Sequence, residues 1–164
     1  MLSAIEKLIF LKDVVFFRGL SINQLKTLAT ICEEELHPEG TLITEEEAPG
    51  GTLYVIVSGR VSIEHRNKAQ GTSAVIATLE RGAYFGETTL FDRSPHQTAA
   101  IAQQDTLTLK LSYDPVMALI KQYPELSLHL VRVLSRRLRE TEEQIAEVSR
   151  RRSRTMHKLY DKLS

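Results

Sequence analysis

Between Thr41 and Leu111 the apolar residues fall into short β-type runs about ten residues apart, each stopped by glycine or a polar turn. Thr41-Leu42-Ile43 follows the turn signal Pro38-Glu39-Gly40. Leu53-Tyr54-Val55-Ile56-Val57 is continuous and ends at Ser58-Gly59, and Arg60 to His65 then alternates. Ala74 to Leu79, Ala99 to Ala102 and Thr106 to Leu111 follow, the last with its leucines on one face. About seven or eight such strands predict an antiparallel sandwich or barrel. The Ser58-Gly59 junction is a hairpin or a tight corner between strands.

Helices are expected on both flanks. Leu2, Ile5, Leu8, Ile9 and Lys12 recur at helical spacing over residues 2–12. Ser21 with Gln24 three residues on reads as a capping box. The helix it opens places Leu25, Leu28, Ala29 and Cys32 on one face and is predicted to run to Glu33–Glu35, whose acids read as a solvated face. A short helix over 112–124 opens at Ser112, carries Pro115 near its first turn and ends at Tyr123-Pro124. From Glu125 a longer helix carries Val131, Leu134, Leu138, Thr141, Ile145, Val148, Arg152, Thr155 and Leu159 at heptad spacing, weakened at Thr141, Arg152 and Thr155; its first two turns are expected to pack on the β unit and the stretch beyond Glu140 to form a two-helix dimer seam. Its end is basic, with Arg150, Arg151, Arg152, Arg154, Lys158 and Lys162, and suits contact with nucleic acid or an anionic membrane as well as a solvated helix end. The expected domains are 1–140 for the β unit with its N-terminal helices and 125–164 for the long helix.

Composition excludes several classes. Lys plus Arg and Asp plus Glu both number 21, so overall charge does not point to nucleic acid. Cys32 is alone, which rules out an internal disulfide and suits a reducing compartment. Leu8–Leu11 and Val14–Phe17 are split by Lys12-Asp13 and fall short of the roughly 18 apolar residues of a membrane span, so a cytoplasmic chain or piece is expected. Glu45-Glu46-Glu47 lacks the alternation of a calcium loop and reads as solvated. His37, His65, His96, His129 and His157 are scattered, and no nucleophile elbow or P-loop occurs. The chain therefore reads as a non-enzyme with no metal and no cofactor.

One stretch has no structural explanation of this kind. Gly82-Ala83-Tyr84-Phe85-Gly86-Glu87-Thr88-Thr89 carries two glycines and an acid directly after the second, and a polar loop through Pro95 leads to Ala99-Ala100. It looks built to hold something against backbone amides. Here the residues resemble a known family. Phe16-Phe17-Arg18-Gly19-Leu20-Ser21, Pro38-Glu39-Gly40, Leu53 to Val61, and Gly82-x-x-Phe85-Gly86-Glu87 are similar to the signatures of cyclic-nucleotide-binding domains. Those domains occur in catabolite-activator-type regulators, cyclic-nucleotide-dependent kinases and gated channels. Arg136-Arg137-Leu138 with Thr141 resembles the long helix of the first group.

The resemblance implies a cupin-like double-stranded β-roll (a jelly roll) followed by a long C-terminal helix, with cAMP or cGMP as ligand. It places the backbone of Gly86 and Thr88 near phosphate and sugar, and Glu87 on the ribose 2′-hydroxyl. Thr98 would reach a phosphate oxygen or the base, and Thr141 would face the base. Phe85, Thr89, Gln97 and Ala99 complete the implied set. Gln97 stands where the family has arginine, which loses a charged fork for the phosphate. Thr88-Thr89 also departs from the usual aliphatic and small pair, and Arg93 or His96 is a candidate replacement cation. Two readings stay open: a sensor with weakened or altered specificity that relays binding through the C-terminal helix, or a degenerate fold that serves as a dimerising module. A homodimer and attachment to a larger regulated protein are the expected partnerships. DNA binding by this chain is disfavoured, because only about twenty residues follow Thr141.

Overall fold

A capping box starts each N-terminal helix. In α1 (Ala4–Asp13) the Ser3 hydroxyl accepts from the Glu6 N–H while Glu6 accepts from the Ser3 N–H. In α2 (Ile22–Ile31) Ser21 and Gln24 exchange the same bonds at 3.2 and 2.9 Å, as the sequence predicts. The computed structural model describes residues 1–67 and 71–163, with side chains described for 1–66 and 71–156. Residues 68–70 and 164 lie outside the described residues, as do the side chains of His157, Lys158, Leu159 and Lys162.

Eight strands form two antiparallel four-stranded sheets. The first runs β1 (Glu33–His37), β8 (Thr106–Ser112), β3 (Thr52–Ser58), β6 (Tyr84–Phe85). The second runs β2 (Leu42–Thr44), β7 (Ala99–Ala102), β4 (Arg60–Asn67), β5 (Thr72–Glu80). Tyr54, Ile56 and Phe85 of the first sheet pack against Val61 and Ala100 of the second to make the roll's core. Leu53, Val55 and Val57 project to the other side of β3 and are also buried. A strand covered on both faces has no polar side to show, which is why its sequence is one apolar run.

The Ser58-Gly59 junction is a corner and not a hairpin, since β3 and β4 belong to different sheets. Gly59 takes φ +100°, and a β-carbon there would lie 2.6 Å from the Thr106 Cα and 2.7 Å from the Asp105 carbonyl. Thr106 closes the corner: its hydroxyl accepts from the Arg60 N–H at 3.2 Å and lies 2.7 Å from the Gln104 carbonyl.

Two expectations need correction here. The acidic run Glu33–Glu35 does not end a helix. The chain leaves α2 at Cys32, whose φ of −72° and ψ of 129° are extended, and the acids form β1 along β8. Their alternation serves two cations: Glu34 pairs with Lys7 of α1 at 3.3 Å and accepts the Leu2 N–H, and Glu35 pairs with Lys110 at 2.7 Å. Cys32 is buried as expected but caps the helix, and burial pushes its thiol up to about 12.

After β8 come α4 (Tyr113–Gln122) and α5 (Glu125–Leu163). The chain divides into two compact units, Met1–Pro124 and Glu125–Ser164. Within α5, Val131, Leu138, Ile145 and Val148 are exposed, and Glu147 pairs with Arg151 at 2.9 Å and Arg150 at 3.5 Å. Among the described residues no helix is long and apolar enough to cross a membrane.

Gly59→Ala tests the corner. It should lower stability by about 2–4 kcal/mol in urea unfolding, whereas the exposed neighbour Ser58→Ala should stay within about 0.5 kcal/mol.

Candidate functional site

The stretch without a structural explanation forms β6, the four-residue helix α3 (Glu87–Leu90) and a loop that returns as β7. Two aromatic contacts fix its entry. Phe85 stacks on Tyr54 at 5.1 Å and 13° between planes, and Tyr84 meets the buried Phe16 edge-on at 5.0 Å. Gly86 then turns the chain with φ +86° and ψ −1°. Its backbone lies so close to β3 that a β-carbon would collide with the Thr52 carbonyl oxygen, so only glycine fits. Glu87 follows directly and is buried, at 6% exposure, while Thr88 is exposed.

The turn that follows the acidic run Glu45-Glu46-Glu47 holds the rest of the loop. The buried Thr89 hydroxyl donates to the Gly86 carbonyl at 3.2 Å and accepts the Gly51 N–H at 3.4 Å. Further on, the His96 N–H donates to the Ala48 carbonyl at 2.9 Å, and the His96 carbonyl accepts the Glu47 N–H at 2.7 Å. Thus the 47–51 turn straps the loop at two places. The sequence marks this turn with Pro49-Gly50-Gly51, but a turn motif does not say what it will touch. Thr89 was implied as a ligand residue; its hydroxyl is occupied by the backbone on both sides.

Neither replacement cation is placed to act as one. The Arg93 guanidinium lies 3.1 Å from Asp114 and 4.0 Å over the Tyr113 ring, a carboxylate and a π-face that together hold it in place. His96 is buried, and that burial pushes its pKa below the ordinary 6.5, towards the neutral ring. Gln97 is exposed, and its carbonyl lies 3.3 Å from His65 Nδ1. His65 Nδ1 in turn lies 3.1 Å from Glu46. Thr98 and Ala99 are half-buried, with Ala99 opposite Glu64 in the β4–β7 pair. Ala99 lines a cavity of about 250 Å³ on the sheet's outer side, together with Glu45, Glu46, Glu64 and Arg66. The Glu64 carboxylate there accepts from the Ser62 and Ser73 hydroxyls at 2.8 and 2.9 Å. Thr141 belongs to the other unit, and its hydroxyl donates to the Arg137 carbonyl at 2.9 Å within α5. Among the described residues no group of three His, Cys, Asp or Glu is placed to hold a metal ion.

The glycine-entered short helix between two facing sheets agrees with the comparison to known families. The sequence profile of the cyclic nucleotide-binding domain matches residues 34–123. The chain belongs to that family. The cyclic AMP receptor protein of Thermus thermophilus is 31% identical over 132 residues, 80% of this chain. The match covers 61% of that relative, so this cyclic nucleotide-binding domain spans about three fifths of its length. The crystal structure of the Thermus thermophilus catabolite activator protein superposes with a TM-score of 0.72 at 30% identity, over 82% of this chain and 62% of that one. A regulatory subunit of a cAMP-independent protein kinase A from Trypanosoma cruzi, bound to guanosine, matches with a TM-score of 0.60 at 25% identity. That match covers 67% of this chain and 40% of the subunit. Members of the family serve as regulatory domains, and the double-stranded β-roll is shared with these neighbours.

Two buried histidines give this domain a pH dependence. Desolvation lowers His96, and it is also the largest influence lowering His37, whose Nε2 lies 3.0 Å from the Thr108 hydroxyl. Both therefore take up a proton in the unfolded chain at a higher pH than in the fold, so stability is full above about 6.5 and is lost as pH falls below it. The melting temperature should drop between pH 7.5 and 5.5, and a variant with both His37→Gln and His96→Gln should show a shallower drop.

Proposed function

We propose that this chain is a ligand-sensing regulatory domain that takes a cyclic nucleotide, cAMP or cGMP, weakly and through its sugar, and relays occupancy through α5. The observation that carries the reading is Glu87, a buried carboxylate set directly after the glycine that only this backbone path allows. A carboxylate accepts hydrogen bonds and gives none, which suits a ribose hydroxyl. The phosphate side is weakened by Gln97, which keeps a donor but has neither the charge nor the fork of arginine. A Trypanosoma cruzi relative described as cAMP-independent, and bound to guanosine, supports sugar-and-base recognition as a workable mode for this fold. The proposed role is binding and regulation, with no catalytic step, in the cytoplasm.

Titration calorimetry with cAMP and cGMP tests this. The wild type should bind in the high micromolar to millimolar range, and Gln97→Arg should bind at least about tenfold more tightly, the value of a hydrogen bond to a charged group. Absence of heat in the wild type combined with binding in Gln97→Arg would favour the second reading, an inherited fold that serves as a dimerisation module.

Both readings include a homodimer. Val131, Leu138 and Ile145 recur every seven residues on α5, and each is more than half exposed, at 57%, 60% and 61%. A seam of this kind is an apolar stripe that a second copy covers, and the remainder of a longer regulated protein is the proposed effector. Light scattering should give a dimer for the wild type and a monomer for Ile145→Asp, with the main thermal transition unchanged.

A further inference from the structure

A cavity of about 540 Å³ runs along α1, walled on its other side by Val57 near the end of β3 and by Arg81-Gly82 before β6. We infer that it is a second binding site, one that takes a small zwitterion with an apolar body, the chemistry of an α-amino acid with an apolar side chain. It shares no lining residue with the 86–97 loop, so it stands or falls independently of nucleotide binding.

The body of such a ligand has a surface to meet. Phe10, Val14 and Val57 are buried core side chains that contribute to the wall, and Ile9 lines the cavity while 58% exposed. An apolar side chain left in water beside an apolar wall is stabilised when another apolar group covers it. The volume falls within the roughly 300–1,000 Å³ of small-ligand sites, which are largely apolar with a few fixed polar groups that set orientation.

Arg81 is the first of those groups. Its Nη1 donates to the Val57 carbonyl at 2.7 Å, and its guanidinium carbon lies 5.0 Å from the centre of the Phe10 ring. Contacts from two different elements hold the group in place, and among the described residues no carboxylate pairs with it. Its remaining N–H donors suit the two oxygens of a ligand carboxylate.

Asp13 is the second. It lines the same cavity, yet among the described residues its carboxylate has no hydrogen bond or ion pair, with Arg81 or with any other group. It is also the last residue of α1, the end at which the helix dipole disfavours an anion. A carboxylate there has no structural duty, and an ammonium group is the partner its chemistry fits. Glu6, two turns earlier, differs, because its carboxylate accepts the Ser3 N–H of the capping box at 2.8 Å. A ligand with one charge would engage either Arg81 or Asp13 and be repelled by the other. A zwitterion serves both, and its side chain covers Ile9.

Amide chemical-shift mapping tests the assignment with L-phenylalanine and with two analogues that each lack one of its charges, 3-phenylpropanoate and 2-phenylethylamine. On the wild-type chain phenylalanine should shift the amides of residues 9–14, 57 and 81–82 and leave those of 86–97 in place. It should bind in the millimolar range and more tightly than either analogue. Asp13→Asn should weaken phenylalanine about two- to fivefold, the value of an exposed ion pair, and should not weaken 3-phenylpropanoate. Arg81→Gln should weaken both carboxylates about tenfold, the value of a hydrogen bond to a charged group, and should not weaken 2-phenylethylamine. Asp13 is exposed and unpaired, so Asp13→Asn should keep the wild-type melting temperature. That variant decides the matter even where Arg81→Gln loses stability with its bond to Val57. If the three ligands bind alike and Asp13→Asn changes nothing, the cavity is an apolar surface only and the assignment is overturned. It is equally overturned if phenylalanine, at on the order of tens of millimolar, shifts no amide along the cavity.

Discussion

Gly86 lies against the Thr52 carbonyl with no room for a β-carbon, and the left-handed turn it makes there puts Glu87 on the inner end of a four-residue helix. The contact joins the start of β3 to the end of β6, two neighbouring strands of one sheet. Tyr54 on β3 is the register partner of Phe85 on β6, and their rings stack directly beside the turn. Core packing and site geometry are therefore set by the same few residues. A larger residue at 86 would move the helix away from the strand and take Glu87 with it.

The helices and most of the strands were legible because each announces itself locally. Ser21 and Gln24 form a box within one turn, and the run from Leu53 to Val57 is apolar because both its faces are covered. What escaped was set by distant partners. Glu33–Glu35 looked like a helix end until Lys7 and Lys110 were placed beside them from opposite ends of the unit. β6 is only two residues long and can show no period. Whether Ser58-Gly59 is a hairpin or a corner depends on which sheet receives the next strand, and alternation carries no information about that.

The candidate site divides in the same way. Its backbone elements, Gly86 and Glu87 above all, could be named from their motif. The state of its cations could not. Asp114 lies 21 positions from Arg93, and the backbone of His96, whose burial lowers its pKa, is bonded to a turn some fifty residues earlier in the chain. A count of basic residues in the loop gives two candidates, and the fold leaves neither available for an anion.

The strap through residues 47–51 has a further consequence. The loop is held to its own chain by the hydroxyl of Thr89 and the peptide groups of His96, so its shape does not depend on a phosphate to organise it. Position 97 contributes a carbonyl to that arrangement and leaves its side chain in solvent. Exchange there costs the fold almost nothing. Position 97 can therefore change its charge in a single step while the strapped backbone around it stays as it is.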